Sequence, residues 1–172
     1  MSDTVPPSHL NSENASVDLG LSKLRLLFRL VLFVCYTVAM LLWFGVERLI
    51  GSKNYGRIPH TYHRGLCRIF GLKVNCHGEL FEGGAALYVA NHISYVDIFV
   101  MGGVLPGFFI AKSEVAGWPV LGWLARCQNT LFFERKGGRA AEQIKVMQQH
   151  LHAGKSLILY PEGTSTAGEA VL

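Results

Sequence analysis

Charged side chains make up only 16% of the 172 residues, and cysteine is sparse. The four cysteines, Cys35, Cys67, Cys76 and Cys127, form no Cys-x-x-Cys pair. That excludes a zinc ribbon and a disulfide framework, and it fits reduced, mostly buried thiols in a cytosol-facing protein. No Gly-x-Ser-x-Gly elbow occurs, which argues against a serine hydrolase. Gly154-Lys155-Ser156 has the end of a phosphate-binding loop without its beginning. Gln149 stands where the first glycine belongs, and a strand pattern comes next instead of a helix. His60 and His63 have the spacing of metal ligands but no evident third ligand, so an interfacial position and no metal are expected. Lys and Arg are missing from residues 1–20, and there is no internal repeat. Basic residues interleaved with exposed aromatics, the footprint of a nucleic-acid binder, are missing too. A membrane surface is the expected acidic partner, and nucleic acid is not.

Apolar residues, by contrast, make up half the chain; the mean hydropathy is +0.28 and the net charge +4. The length allows one domain, and the hydropathy implies a membrane segment. Residues 1–21 are polar, carry Pro6-Pro7, and are expected to be disordered. Lys23, Arg25 and Arg29 then abut the uncharged run from Leu30 to Val46, close to the lower limit of about 17 residues for crossing a bilayer. Basic residues stand on its far side as well, so charge gives no clear orientation. A helix that dips in and returns, or lies in the interface, would satisfy both flanks. From Arg57 to Phe70, Ile58, Tyr62, Leu66 and Ile69 recur at helical spacing, with Arg57, Thr61, Arg64 and Arg68 on a different side. Such a helix lies either on anionic lipid or against its own domain. Residues 22–70 are therefore read as a membrane-associated helical unit.

Residues 71–172 read as an α/β domain, a mixed sheet with flanking helices. Strands are expected at Lys73–His77, Ala86–Ala90, Phe108–Ala111, Thr130–Glu134 and Ser156–Tyr160. Helices are expected at Ser94–Gly103, Glu114–Arg126 and Gly138–His152, the last stopped by Gly154.

Polar clusters stand at three of the strand ends. After Ala90 come Asn91 and His92, and Asp97 lies five residues beyond His92. On a continuous helix those two side chains would point roughly 140° apart. They can meet only if His92 precedes the helix, and Ser94 with Asp97 has the capping-box pattern that would start it there. Asp97 then either caps a helix beside an ordinary loop histidine, or orients an imidazole able to take and return a proton. Arg135, after the fourth expected strand, has the planar fork to clamp two phosphate oxygens, whereas Lys136 and Arg139 read as a solvated turn. Beyond Tyr160, the Pro161-Glu162-Gly163-Thr164 turn can cradle an anion on its backbone N–H groups, or be a plain Pro-initiated turn. Glu162 needs a donor such as Arg135 or a substrate hydroxyl.

In this order the three clusters resemble the membrane-bound glycerolipid acyltransferases of the lysophosphatidic acid acyltransferase type. The Asn-His-x-x-x-x-Asp motif is matched by Asn91, His92 and Asp97. Gly-x-x-Phe-x-x-Arg is matched at Phe132 and Arg135, with Asn129 in place of Gly. Phe-Pro-Glu-Gly-Thr-Arg is matched at Pro161 to Thr164, with Tyr160 for Phe and Ser165 for Arg. Ala111-Lys112-Ser113-Glu114, with Pro119 and Gly122 beyond it, is also similar. The resemblance implies transfer of an acyl group from acyl-CoA or acyl-carrier protein to 1-acylglycerol-3-phosphate, with no further cofactor and with the domain on the cytoplasmic face of a membrane. His92 and Asp97 would be catalytic; Asn91, Arg135, Glu162, Gly163 and Thr164 would bind the acceptor. Ser165 points instead toward relatives acting on other lyso-lipids such as lyso-ornithine lipid. The family's fourth, Pro-rich motif is not reached by Leu172, so a truncated, non-catalytic remnant is the competing expectation.

Overall fold

The structure, a computed structural model, describes residues 12–52, 57–134 and 138–161, with side chains from residue 22 onward. Helix α1 (Ser12–Leu49) is continuous over 38 residues. It begins inside the stretch expected to be disordered; residues 1–11 lie outside the described part. Ser12 and Glu13 suit a helix N-terminus, and extending an existing helix backward costs far less than nucleating a new one. Within α1, Ser22–Leu49 is long and apolar enough to cross a membrane, and it does not dip and return inside itself.

The return is made by α2 (Ile58–Phe70), which runs back along the second half of α1. Phe33 meets Phe70 with ring centroids 5.8 Å apart, Tyr36 donates to the Thr61 carbonyl at 2.9 Å, and Tyr62 lies 3.0 Å from the Thr37 hydroxyl. The pairing is antiparallel. Ile58, Tyr62 and Leu66 are buried with Met40, while Arg57, Thr61, Arg64 and Arg68 are not among the buried residues of the helix. The amphipathic stripe is thus spent on the chain's own packing, and the basic side faces away from it. Three helices, α2, α4 (Leu121–Cys127) and α5 (Ala140–His152), end in the same way. Gly71, Asn129 and Gly154 take left-handed φ of 71°, 57° and 76°, and paired backbone bonds close each end.

Strands β1 (Leu87–Val89), β2 (Gly107–Lys112), β3 (Leu131–Phe133) and β4 (Ser156–Leu159) form one sheet in the order β1-β4-β2-β3. Every pairing is parallel, so the sheet expected to be mixed is parallel among the described residues. The reason lies in the connections: α3 (Val96–Val104), α4 and α5 each carry the chain back between successive strands. Leu157 and Ile158 on the interior strand β4 are fully buried, each worth about 1.5–3 kcal/mol. Helix α3 joins the two halves of the molecule. Its Ile98 and Met101 pack on the sheet cluster of Phe109, Ile158 and Tyr160, while Phe99 packs on the α1–α2 cluster.

Two expectations fail locally. Lys73–His77 forms no strand; its side chains are exposed, and it lies on no sheet edge among the described residues. The helix expected over Glu114–Arg126 breaks into a 3-10 turn (Ser113–Gly117) and α4, because Pro119 has no N–H to continue it.

Candidate functional site

In an all-parallel sheet the carboxyl ends of all strands lie along one edge, where α/β folds place their chemistry. β1 and β4 are neighbours, and the Ala90 N–H donates to the Leu159 carbonyl at 3.1 Å, extending their pairing past the strand end. The residues just beyond Ala90 and those just beyond Leu159 must therefore meet. His92 and Tyr160 do so, with ring centroids 4.4 Å apart.

The chain leaves β1 through Asn91 to Tyr95 before α3 starts at Val96, so His92 sits ahead of the helix. Ser94 Oγ accepts from the Val96 N–H at 3.0 Å, and Asp97 Oδ2 accepts from the N–H groups of Ile93 and Ser94 at 2.7 and 2.9 Å. This is the reciprocal cap read from the sequence, with the helix proper starting two residues later. The same Asp97 Oδ2 lies 3.1 Å from His92 Nδ1. The two sequence readings of Asp97 are therefore one arrangement: it caps α3 and it holds the imidazole.

A carboxylate that already takes two backbone N–H bonds only accepts, so Nδ1 carries the proton and donates it. Nε2 is left with its lone pair, free to receive a proton. The His92 side chain is 13% exposed and Asp97 27%, so the pair is sheltered but reachable. Asn91, beside it, is exposed.

Arg135, Glu162, Gly163 and Thr164 lie outside the described residues. Their flanks do not. β3 ends at Phe133, in register with Lys112 at the end of β2, and three strand spacings of about 4.8 Å separate β3 from β1 along the edge. Pro161 comes directly after Tyr160 at the end of β4. At the Glu134 turn, Arg139 makes an exposed ion pair with Glu134 at 3.4 Å, in keeping with its reading as a solvated turn residue.

Asn129, which stands where the resembled motif has glycine, is the left-handed residue that ends α4 and aims β3. Asparagine is among the few residues with a side chain that tolerate this conformation, so the departure preserves the geometry.

Sequence reasoning missed two residues. Tyr160 stacks on His92 and on Phe109, the latter at 6.3 Å; only its place next to the Pro-Glu-Gly turn hinted at this. His63, expected at an interface, is 3% exposed and wedged against Gly102 of α3 and Phe109 of β2, with Nε2 2.8 Å from Gln128 Oε1. Its spacing from His60 gave no sign that its side of the helix faced the core. Burial holds its pKa down at about 4, against the hydrogen bond to Gln128, and the neighbouring His60 adds to the lowering.

Comparison with known proteins gives the family of the chain. The family model described as Acyltransferase matches residues 73–172. A lyso-ornithine lipid O-acyltransferase from Brucella abortus is 42% identical over 117 residues, which are 67% of this chain and 44% of that protein. A 1-acyl-sn-glycerol-3-phosphate acyltransferase from Neisseria gonorrhoeae is 38% identical over 87 residues, 50% of this chain and 34% of that protein. This chain therefore spans less than half the length of either relative. The crystal structure of the 1-acyl-sn-glycerophosphate acyltransferase from Thermotoga maritima shares the fold, with a TM-score of 0.59 and 24% identity over 86% of this chain and 66% of that one.

Proposed function

The chain belongs to the acyltransferase family, and we propose that it moves a fatty acyl group from a thioester donor to the hydroxyl of a membrane-held lyso-lipid. The observation that carries this reading is the 3.1 Å contact between His92 Nδ1 and Asp97 Oδ2 at the carboxyl edge of the sheet. His92 Nε2 takes the proton of the acceptor hydroxyl as its oxygen attacks the thioester carbonyl. The C–S bond then breaks, and the thiolate leaves with the proton returned by the imidazolium. Thiols ionise near pH 8.5, so the leaving group needs little help and no enzyme nucleophile is required. Asp97 holds the tautomer and offsets the charge of the imidazolium. Asn91, Arg135, Glu162, Gly163 and Thr164 bind the acceptor, and acyl-CoA or acyl-carrier protein is the donor, with no other cofactor.

Lyso-ornithine lipid is the acceptor we place first. The Brucella protein named for it is 42% identical, and Ser165 stands where the lysophosphatidic acid type carries arginine. Lysophosphatidic acid is the second reading, supported by the Neisseria relative. The membrane reading rests on α1. Since α2 packs along the second half of α1 and α3 packs on α2, the catalytic domain is attached to the helix that would otherwise cross. A non-crossing arrangement on the cytoplasmic leaflet brings the cytosolic donor and the bilayer-held acceptor to one boundary.

The test is incubation of the purified chain in vesicles with radiolabelled acyl-CoA or acyl-carrier protein and a panel of lyso-lipids. Labelled ornithine lipid supports the first acceptor and labelled phosphatidic acid the second. No transfer to any acceptor overturns the enzymatic reading in favour of a non-catalytic, membrane-attached chain.

A further inference from the structure

Between Glu114 and Arg126 the chain carries no charged side chain, and it holds two of the three tryptophans. Trp118, Val120, Leu121 and Trp123 are 41%, 68%, 55% and 52% exposed. Four large apolar side chains within six residues, all turned to solvent, are more than scattered surface hydrophobicity.

The tip they form is built, not loose. Val120 has φ of 63° and ψ of −59°, and the Leu121 N–H donates to the Pro119 carbonyl at 2.7 Å. That is a γ-turn of the rare, strained hand, here on a β-branched residue. The Gly122 N–H bonds the Trp118 carbonyl at 3.0 Å and the Leu124 N–H bonds the Val120 carbonyl at 2.9 Å. Gly122 is buried so closely on the preceding 3-10 turn that a Cβ there would come within 2.6 Å of the Val115 carbonyl oxygen. The fold holds the apolar tip outward at a conformational cost, which is unusual unless the tip has an environment to enter.

We infer that residues 118–123 are a second membrane contact, by which the catalytic domain itself inserts into the interfacial layer of a bilayer. Continuity with α1 selects a bilayer over other occupants. The inner side of α4, Leu124 and Cys127, lines one cleft with Met40 and Phe44 of α1, so the tip stands within one short helix of the apolar element. Arg126 is exposed at the end of α4, a cation placed for anionic headgroups. Indole, apolar with a single polar N–H, is the side chain most suited to the membrane interface. The inference rests on α1 being membrane-attached and is independent of the acyl-transfer chemistry.

The three tryptophans make the test direct. Single-tryptophan variants (W118F/W123F, W43F/W123F and W43F/W118F) are bound to phosphatidylglycerol–phosphatidylethanolamine vesicles containing lipids brominated in their acyl chains. Loss of Trp118 and Trp123 emission to bromolipid, with protection from aqueous iodide, is expected. Emission that iodide quenches and bromolipid does not would overturn the inference, and so would protection from both, which would point to a second copy of the chain. Trp43 on α1 is the internal reference: its emission must also be lost to bromolipid, and its escape would overturn the premise on which the tip's assignment rests.

Discussion

The imidazole of His92 lies over the ring of Tyr160, centroids 4.4 Å apart and planes 22° from parallel, and joins the end of β1 to the end of β4. The Tyr160 hydroxyl is buried and has no hydrogen-bond partner among the described residues. Burial, and secondarily the charge of Asp97, push its pKa up, so the phenol stays neutral. The ring is therefore the part of Tyr160 that serves the site, and the hydroxyl is a cost. Tyr160→Phe should raise the melting temperature, by relief of an unpaired polar group worth about 1–3 kcal/mol, and leave acyl transfer intact. Tyr160→Leu should lower kcat more than it changes KM, because the imidazolium loses its aromatic neighbour. Thermal melts and steady-state kinetics on both variants check this; equal loss of activity in the two would assign the role to the hydroxyl instead.

Asp97 does two jobs with one oxygen, and two substitutions separate them. Asp97→Asn keeps an acceptor for the Ile93 and Ser94 N–H groups but removes the charge; Asp97→Ala removes both. The asparagine variant should melt near the parent and lose kcat, whereas alanine should also lose about 1 kcal/mol of stability. His92→Ala should lose roughly 10²–10⁴ in rate while still binding membranes. Retained transfer by the His92 variant would remove it as the base.

His63 gives the fold a pH dependence with a definite sign. The unfolded chain takes up a proton near 6.5, the folded one only near 4. Between these values the unfolded state binds more protons, so stability is whole above about 6.5 and falls as pH drops toward 4. The loss totals about 3 kcal/mol at 1.36 kcal/mol per pKa unit. Replacing His63 and Gln128 together by Phe and Leu should flatten the melting temperature over this window. An unchanged slope would place the pH dependence elsewhere.

How much of the molecule is legible in its sequence varies with the range of the interaction responsible. The break before α3 is readable because Ser94 and Asp97 act within one helical turn of each other. Four of the five expected strands are also readable, as short apolar runs between turn residues. Failures come where a partner far along the chain decides. Nothing local in Lys73–His77 says whether a sheet edge is present for it, and nothing local says that all strands run the same way. His63 and Tyr160 escape notice because their neighbours, Gly102 and Gln128 for one and His92 for the other, are remote in sequence. The helix expected across Pro119 fails for a different reason, since the missing N–H is itself a local signal.

Asn129 tests whether a departure from the resembled motif is a departure in structure. Its φ of 57° lies where residues with a Cβ are strained. Asn129→Gly should be neutral or slightly stabilising. Asn129→Val should cost about 1–2 kcal/mol, read as a lower melting temperature. If valine were tolerated without loss, the left-handed end of α4 would not be what sets the start of β3.

Arg135 follows β3, which ends at Phe133, by two residues in the sequence, and its proposed role is to hold the charged oxygens of the acceptor. A paired, charge-assisted contact of this kind is worth about 1.5–3 kcal/mol, or roughly one to two orders of magnitude in binding. Arg135→Ala should therefore raise the apparent KM for the lyso-lipid by that factor and leave kcat at saturation nearly unchanged. Lysine carries the same charge without the planar fork, so Arg135→Lys should recover only part of the loss. Full recovery by lysine would reduce the role to a point charge. An unchanged KM in the alanine variant would remove Arg135 from the acceptor site and leave its discrimination to the Glu162-Gly163-Thr164 turn.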